Sequence, residues 1–193
     1  MNYVQIKTVD YHPKTAHLGD LKGVERDNEL RDGTPLLEDW EKNARFEMSD
    51  DYPKQIALAD FMPNLHRALV LSAKARKLFE AEGVADAEYL PVHIVNHKGR
   101  KVPDPYFFFN PTRLVDCADA KKTKFRPWPI DKNIWIEVEN LTIDEKRIPK
   151  DAKLVSVYHF NPLLLIHRSL ADRMASAKLT GFETIELSRF EGL

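Results

Sequence analysis

The chain has 193 residues, of which 43% are hydrophobic and 31% charged, and a formal net charge of −1. That balance belongs to a globular protein able to bury about 70% of its unfolded surface, which excludes a disordered chain and removes the need for a metal or disulfide staple. The one cysteine, Cys117, excludes a disulfide framework and a multi-thiolate zinc site.

The charge is unevenly spread. Residues 1–62 hold 13 acids and 8 bases, and the stretch Glu25 to Asp51 holds 10 acids against 4 bases. An acidic flank attracts a basic partner and repels nucleic acid, although a solvated surface would have the same composition.

In chain order, Tyr3 to Val9 alternates as a strand. No basic segment followed by an apolar core precedes it, so no signal peptide is expected. The longest apolar run, Leu163 to Ile166, falls far short of the ~20 residues of a membrane helix. Together these features predict a cytoplasmic protein with no membrane partner. From Asp10 to Asp51 the chain is polar and broken by Gly19, Gly23, Gly33 and Pro35, with a short helical turn expected at Leu36-Leu37-Glu38-Asp39-Trp40. This irregular, acidic part, residues 1–54, is expected to cover one sheet edge or to be mobile.

Two later units share one order. Ala68 to Leu71 reads as a buried strand. Ser72 follows as a helix N-cap, Ala75, Leu78 and Phe79 share a helical face, and Gly83 stops the helix before a strand over Tyr89 to Val95. In the second unit Leu163 to Ile166 is the strand and Ser169 the candidate cap. Leu170, Met174 and Ala177 form the apolar face, and Gly181 stops the helix before a strand over Phe182 to Leu187. Between the units, Leu90, Val92 and Ile94 fall on one strand face. Asn96-His97-Lys98-Gly99 is a turn, and Tyr106 to Phe109 is a β-forming run ended by Asn110-Pro111. Ile134 to Glu139 is a further alternating strand. These elements predict a single α+β domain spanning residues 1–193, with one main mixed or antiparallel sheet and two main helices.

Chemical motifs are weak. His93 and His97 have the four-residue spacing of a helical zinc pair, but they fall on a strand and a turn and lack a third ligand, so no metal is expected. The acidic neighbours Asp116 and Asp119 suppress a Cys117 thiolate, which reads as structural. Glu137 and Glu139 share a strand face with Trp135, which is expected to be an exposed surface or partner contact. Lys121 to Trp128 mixes bases and aromatics as a nucleic-acid loop would, but a lone basic loop reads as solvated surface. No phosphate-cradling glycine motif or nucleophile elbow occurs. No catalytic residue, cofactor or nucleic-acid partner is expected.

Pro91 to Gly99, Tyr106 to Pro111 and Val115-Asp116-Cys117, with the upstream Leu58 to Pro63 and Leu69 to Ser72, resemble the core block of a bacterial family once classed only as a domain of unknown function. That family is described as immunity proteins of polymorphic toxin systems, first noted in myxobacteria. The resemblance covers roughly residues 55–190, with the first third poorly matched. It implies neutralisation of a cognate toxin by direct contact and supplies no catalytic residues. Tryptophan beside acids suits a basic partner, so the expected contacts are Glu38, Asp39, Trp40 and Glu41, with Trp135, Glu137 and Glu139 second. The alternatives are a small-molecule enzyme built around His93, His97 and a carboxylate, or a structural or adaptor protein.

Overall fold

A computed structural model describes residues 1–9, 11–160 and 163–190; Asp10, the first residue of the polar stretch, lies outside them. In chain order the elements are β1 (Tyr3–Thr8), β2 (Leu18–Lys22), β3 (Arg45–Met48), β4 (Val70–Ser72), α1 (Ala73–Ala81), β5 (Ala87–Val95) and β6 (Tyr106–Pro111). These are followed by β7 (Leu114–Val115), β8 (Lys124–Pro127), β9 (Trp135–Glu139), β10 (Leu154–Val157), β11 (Leu164–His167), α2 (Arg168–Ser176) and β12 (Phe182–Ile185). The α+β class and both helices stand as the sequence indicates. The single main sheet does not: the strands divide into two five-stranded sheets, ordered β12-β1-β11-β10-β7 and β2-β3-β5-β6-β4, with β8-β9 as a separate hairpin.

The two β-helix-β units are built alike. β4 and β5 both run antiparallel to β6, which lies between them. Likewise β11 and β12 both run antiparallel to β1, which lies between them. Each unit is therefore a split β-α-β, with its central strand supplied by the following segment in one case and by the N-terminus in the other.

The first helix starts as the sequence predicts. Ser72 Oγ accepts from the Ala75 amide at 3.2 Å and donates to Asp60 at 2.6 Å, and Gly83 follows the helix with φ +75°. The second helix corrects two expectations. Its cap is His167, whose Nδ1 accepts from the Ser169 amide at 3.2 Å, so Ser169 is the capped residue and not the cap. The helix ends at Ser176, where Lys178 takes the left-handed conformation with φ 53°. Gly181 lies beyond it and serves close packing, because a Cβ there would overlap the Phe61 carbonyl oxygen.

Both sheets are covered on both faces, which explains the uninterrupted apolar run of β11. Between the sheets lies a cluster holding Ala75 and Phe79 of α1, Leu170 and Met174 of α2, and Val4, Ile6, Leu71, Phe109, Leu164 and Ile166 from the facing strands. Phe61 fills its middle, with its ring 5.9 Å from that of Phe79 and 5.4 Å from that of Phe182. The outer face of the second sheet carries Leu18, Phe46, Val70, Leu90, Val92, Ile94 and Phe108, packed with Leu30, Leu36 and Met62 from the loops of the first third of the chain. The outer face of the first carries Tyr3, Val155, Val157 and Leu165, covered by Trp135, Val138, Leu141 and Ile148.

The N-terminal third is thus more regular than its composition suggests. It supplies β2 and β3, and β3 adds parallel to β5, extending the sheet edge it was expected to cover.

Candidate interaction surfaces

The acidic turn is held from inside. Buried Asn110 accepts from the Arg31 amide at 2.8 Å and donates to the Thr34 carbonyl at 2.9 Å and to Glu88 at 3.2 Å. Glu88 in turn accepts from the Leu36 and Leu37 amides at 2.7 and 3.2 Å. The 3-10 turn Leu37–Asp39 follows from this fixed point, where the sequence places a short helical turn. Trp40 is half-buried against the outer core, and its indole N–H donates to the Pro91 carbonyl at 2.7 Å. Asp39 stands 3.5 Å from Arg26, which also binds Glu29, and Glu41 accepts from the Glu25 amide at 2.8 Å. Glu38 and Asp39 project into solvent, whereas Trp40 and Glu41 spend part of their bonding capacity on the fold.

The β8-β9 hairpin separates the three residues expected to share a face. Trp135 is 3% exposed, and its ring is sandwiched between Phe125 at 3.9 Å and His159 at 4.7 Å, both nearly parallel to it. The cause is a bulge: Arg126 pairs with Glu137 but Pro127 with Trp135, so Ile136 is the extra residue and the alternation breaks. Trp135 therefore joins Val138 in the core, and the expectation of an exposed tryptophan is corrected. Glu137 and Glu139 do face solvent, where they pair with Arg126 and Lys124. Lys122 pairs with Asp119 at 3.2 Å, so three bases of the Lys121 to Trp128 stretch meet acids of their own neighbourhood.

His159 has no signal in the sequence, since its partners are distant along the chain. Its ring nitrogens lie 2.7 Å from the Asn133 carbonyl and 3.0 Å from Asp116, which fixes the ring against Trp135. The hairpin tip leaves Ile130 82% exposed and Trp128 40% exposed.

The structure places His93 and His97 on different elements. His93 lies in β5 beside Arg45, whereas His97 sits in the turn after β5 and lines an open groove of about 570 Å³ that His93 does not reach. No group of three or more His, Cys, Asp or Glu able to hold a metal occurs among the described residues. Cys117 is fully buried, and burial first, then neighbouring Asp116, pushes its thiol up to about 11. No helix among the described residues is long and apolar enough to cross a membrane.

The scaffold is layered α+β, with charged and apolar features on its outer coverings. The chain belongs to the immunity protein family Imm11, whose family model matches residues 11–188. The match takes in most of the N-terminal third, which the resemblance over residues 55–190 left out. No curated protein shows significant similarity to the chain.

Proposed function

We propose that this chain neutralises a cognate bacterial toxin by direct contact, as the immunity partner in a polymorphic toxin system, and that it acts by binding in the cytoplasm without turnover. The observation that carries this reading is the family match across residues 11–188. The surface is ample, since a standard interface takes about 800 Å² from each partner and the folded chain exposes 10781 Å².

The carboxylates of Glu38, Asp39 and Glu41, with Glu137 and Glu139 as a second patch, meet a basic toxin surface. Trp40 and Trp135 act from beneath by fixing the turn and the hairpin. Coexpression with the product of the adjacent gene tests this reading: rescue of growth arrest and co-purification are expected. Failure of both would remove it. Glu38→Lys with Asp39→Lys, as a double variant, is expected to slow association and reduce rescue. Unchanged rescue and affinity would acquit those residues while leaving the immunity reading in place.

A further inference from the structure

The groove of about 570 Å³ lies between the turn after β5 and the strap that follows β3. Its size falls within the roughly 300–1,000 Å³ typical of binding clefts. Met48, Leu58 and Val102 make an apolar floor, and Ile56, 64% exposed, stands at its wall. Lys98, Arg100 and Lys101 form the rim, all three exposed. None of the three takes part in an ion pair among the described residues, unlike the bases of the β8-β9 hairpin. His97 lines the groove with both ring nitrogens shielded from solvent and lacking a hydrogen-bond partner. A carboxylate oxygen of Asp50 stands 3.6 Å from Nδ1, beyond hydrogen-bond distance, and Asp50 itself is fully exposed.

The walls are already set. Asn96 Oδ1 accepts from the Lys98 and Arg100 amides at 2.9 and 3.2 Å, and the Val102 amide donates to the Ile94 carbonyl at 2.8 Å. On the strap, the Gln55 amide donates to the Tyr52 carbonyl at 2.9 Å and the Ala57 amide to the Lys14 carbonyl at 2.9 Å. A preformed cleft avoids the ordering cost that weakens binding by loose loops.

We infer that this groove seats a segment of the toxin partner that presents an apolar side chain flanked by carboxylates, the apolar group on the Met48–Val102 floor and the acids on Lys98, Arg100 and Lys101. This rests on the immunity reading and adds a contact opposite in charge to the Glu38–Asp39 turn. Three rim cations, with no carboxylate among the lining residues, select an acidic segment, and the apolar floor selects one with a hydrophobic residue between its acids.

The test uses the full chain with the product of the adjacent gene, measuring affinity by calorimetry and backbone protection by hydrogen exchange. Lys98→Glu with Lys101→Glu is expected to weaken binding at least about tenfold, since like charges now face each other. Ile56→Asp is expected to weaken it through the apolar wall, and residues 96–102 are expected to exchange more slowly in the wild-type complex. These side chains are exposed, so folding is not at stake, and the exchange measurement needs no variant. Binding within about twofold of wild type by both variants, with no added protection at 96–102, overturns the groove while the immunity reading survives. A wild-type chain that neither binds nor protects removes both. Dodecanoate titrated into the free chain supplies a third arm. Saturable binding that the charge-reversed variant abolishes would assign the groove to a small anionic amphiphile and overturn the peptide assignment.

Discussion

Two glycines with similar backbone angles offer a controlled test of the packing between the sheets. Gly83 has φ +75° and Gly181 φ +85°, so an alanine at either carries the left-handed penalty of about 1–2 kcal/mol. Around Gly83 nothing lies within 4 Å of an added Cβ. At Gly181 the Cβ would overlap the Phe61 carbonyl oxygen and come within 2.9 Å of Ala59 Cβ. The backbone at Phe61 has little room to yield. Its amide donates to the Thr180 carbonyl at 2.9 Å, the Gly181 carbonyl accepts from the Val9 amide at 3.0 Å, and the Phe61 ring sits at the centre of the inter-sheet cluster. Overpacking adds about 1–3 kcal/mol and a weakened hydrogen bond about 0.5–1.5 kcal/mol. Gly181→Ala is therefore expected to cost about 4 kcal/mol against about 1–2 kcal/mol for Gly83→Ala. Urea unfolding of both variants measures the difference as a shift in midpoint at constant slope. If the two costs agree within about 0.5 kcal/mol, the close approach of Gly181 to Phe61 is not a stabilising contact and the reasoning fails.

Ser72→Ala removes both the cap on α1 and the hydroxyl bound to Asp60, and is expected to cost about 1–2 kcal/mol in chemical denaturation. Ser169→Ala should cost less, because its hydroxyl, 2.8 Å from His167 Nδ1 and accepting from Lys153 at 3.0 Å, is not the cap of the helix. Burial, then the charge of Arg31, holds the His66 imidazole below its ordinary value of 6.5, and its Nε2 accepts from the Leu21 amide at 3.1 Å. The unfolded chain therefore takes up this proton first. The His66 contribution is intact above pH 6.5 and is lost as pH falls from there through the lower folded value. His66→Gln should flatten stability measured between pH 7 and 5, and an unchanged slope would assign the effect elsewhere. Trp135→Ala empties the stack between Phe125 and His159 and is expected to cost about 3–5 kcal/mol, read by thermal melting. Glu137→Gln in the same hairpin should stay within about 0.5 kcal/mol of wild type. Cys117, buried and with its thiol pushed up to about 11, should resist iodoacetamide in the native chain and react on unfolding; prompt native labelling would contradict this.

What the sequence made legible was local. The Ser72 cap, the Ala75–Phe79 face, the Asn96 to Gly99 turn and the alternation of Leu90, Val92 and Ile94 each depend on residues within a few positions of one another, and each stands in the structure. Ser169 misled because serine is the commoner cap, whereas the ring of His167, two residues earlier, caps the helix through the amide of Ser169 itself. The division into two sheets was hidden because β6 and β1 join their units from different directions in the chain, and no local pattern records which strand sits in the middle. The regular strands of the N-terminal third were masked by its acids and glycines, while their formation depends on pairing β3 with β5 across more than forty residues.

The candidate surfaces were harder still. A period-two reading put Trp135 beside Glu137 and Glu139, and one bulged residue moved it into the core while leaving both glutamates outside. The basic groove went unread because its floor comes from three separate segments, at Met48, Leu58 and Val102. Its rim bases are too few to register as a charge run.

The acidic turn, the groove and the β8-β9 hairpin all lie outside the inter-sheet cluster that packs α1 and α2 between the sheets. The turn belongs to the covering of one outer face, anchored through Asn110 and Glu88, and the hairpin belongs to the covering of the other. On the proposed reading, the inter-sheet cluster carries stability while exposed charges on the outer coverings carry recognition. Substitutions at Phe61, Gly181 or Met174 will move the unfolding midpoint, while charge changes at Glu38, Lys98 or Lys101 will move affinity and leave the midpoint nearly still. For an immunity protein of the kind proposed, this separation has a physical use. Exposed side chains can change their charge pattern without disturbing the close-packed interior, because exposed positions tolerate substitution within about 0.5 kcal/mol whereas the core does not.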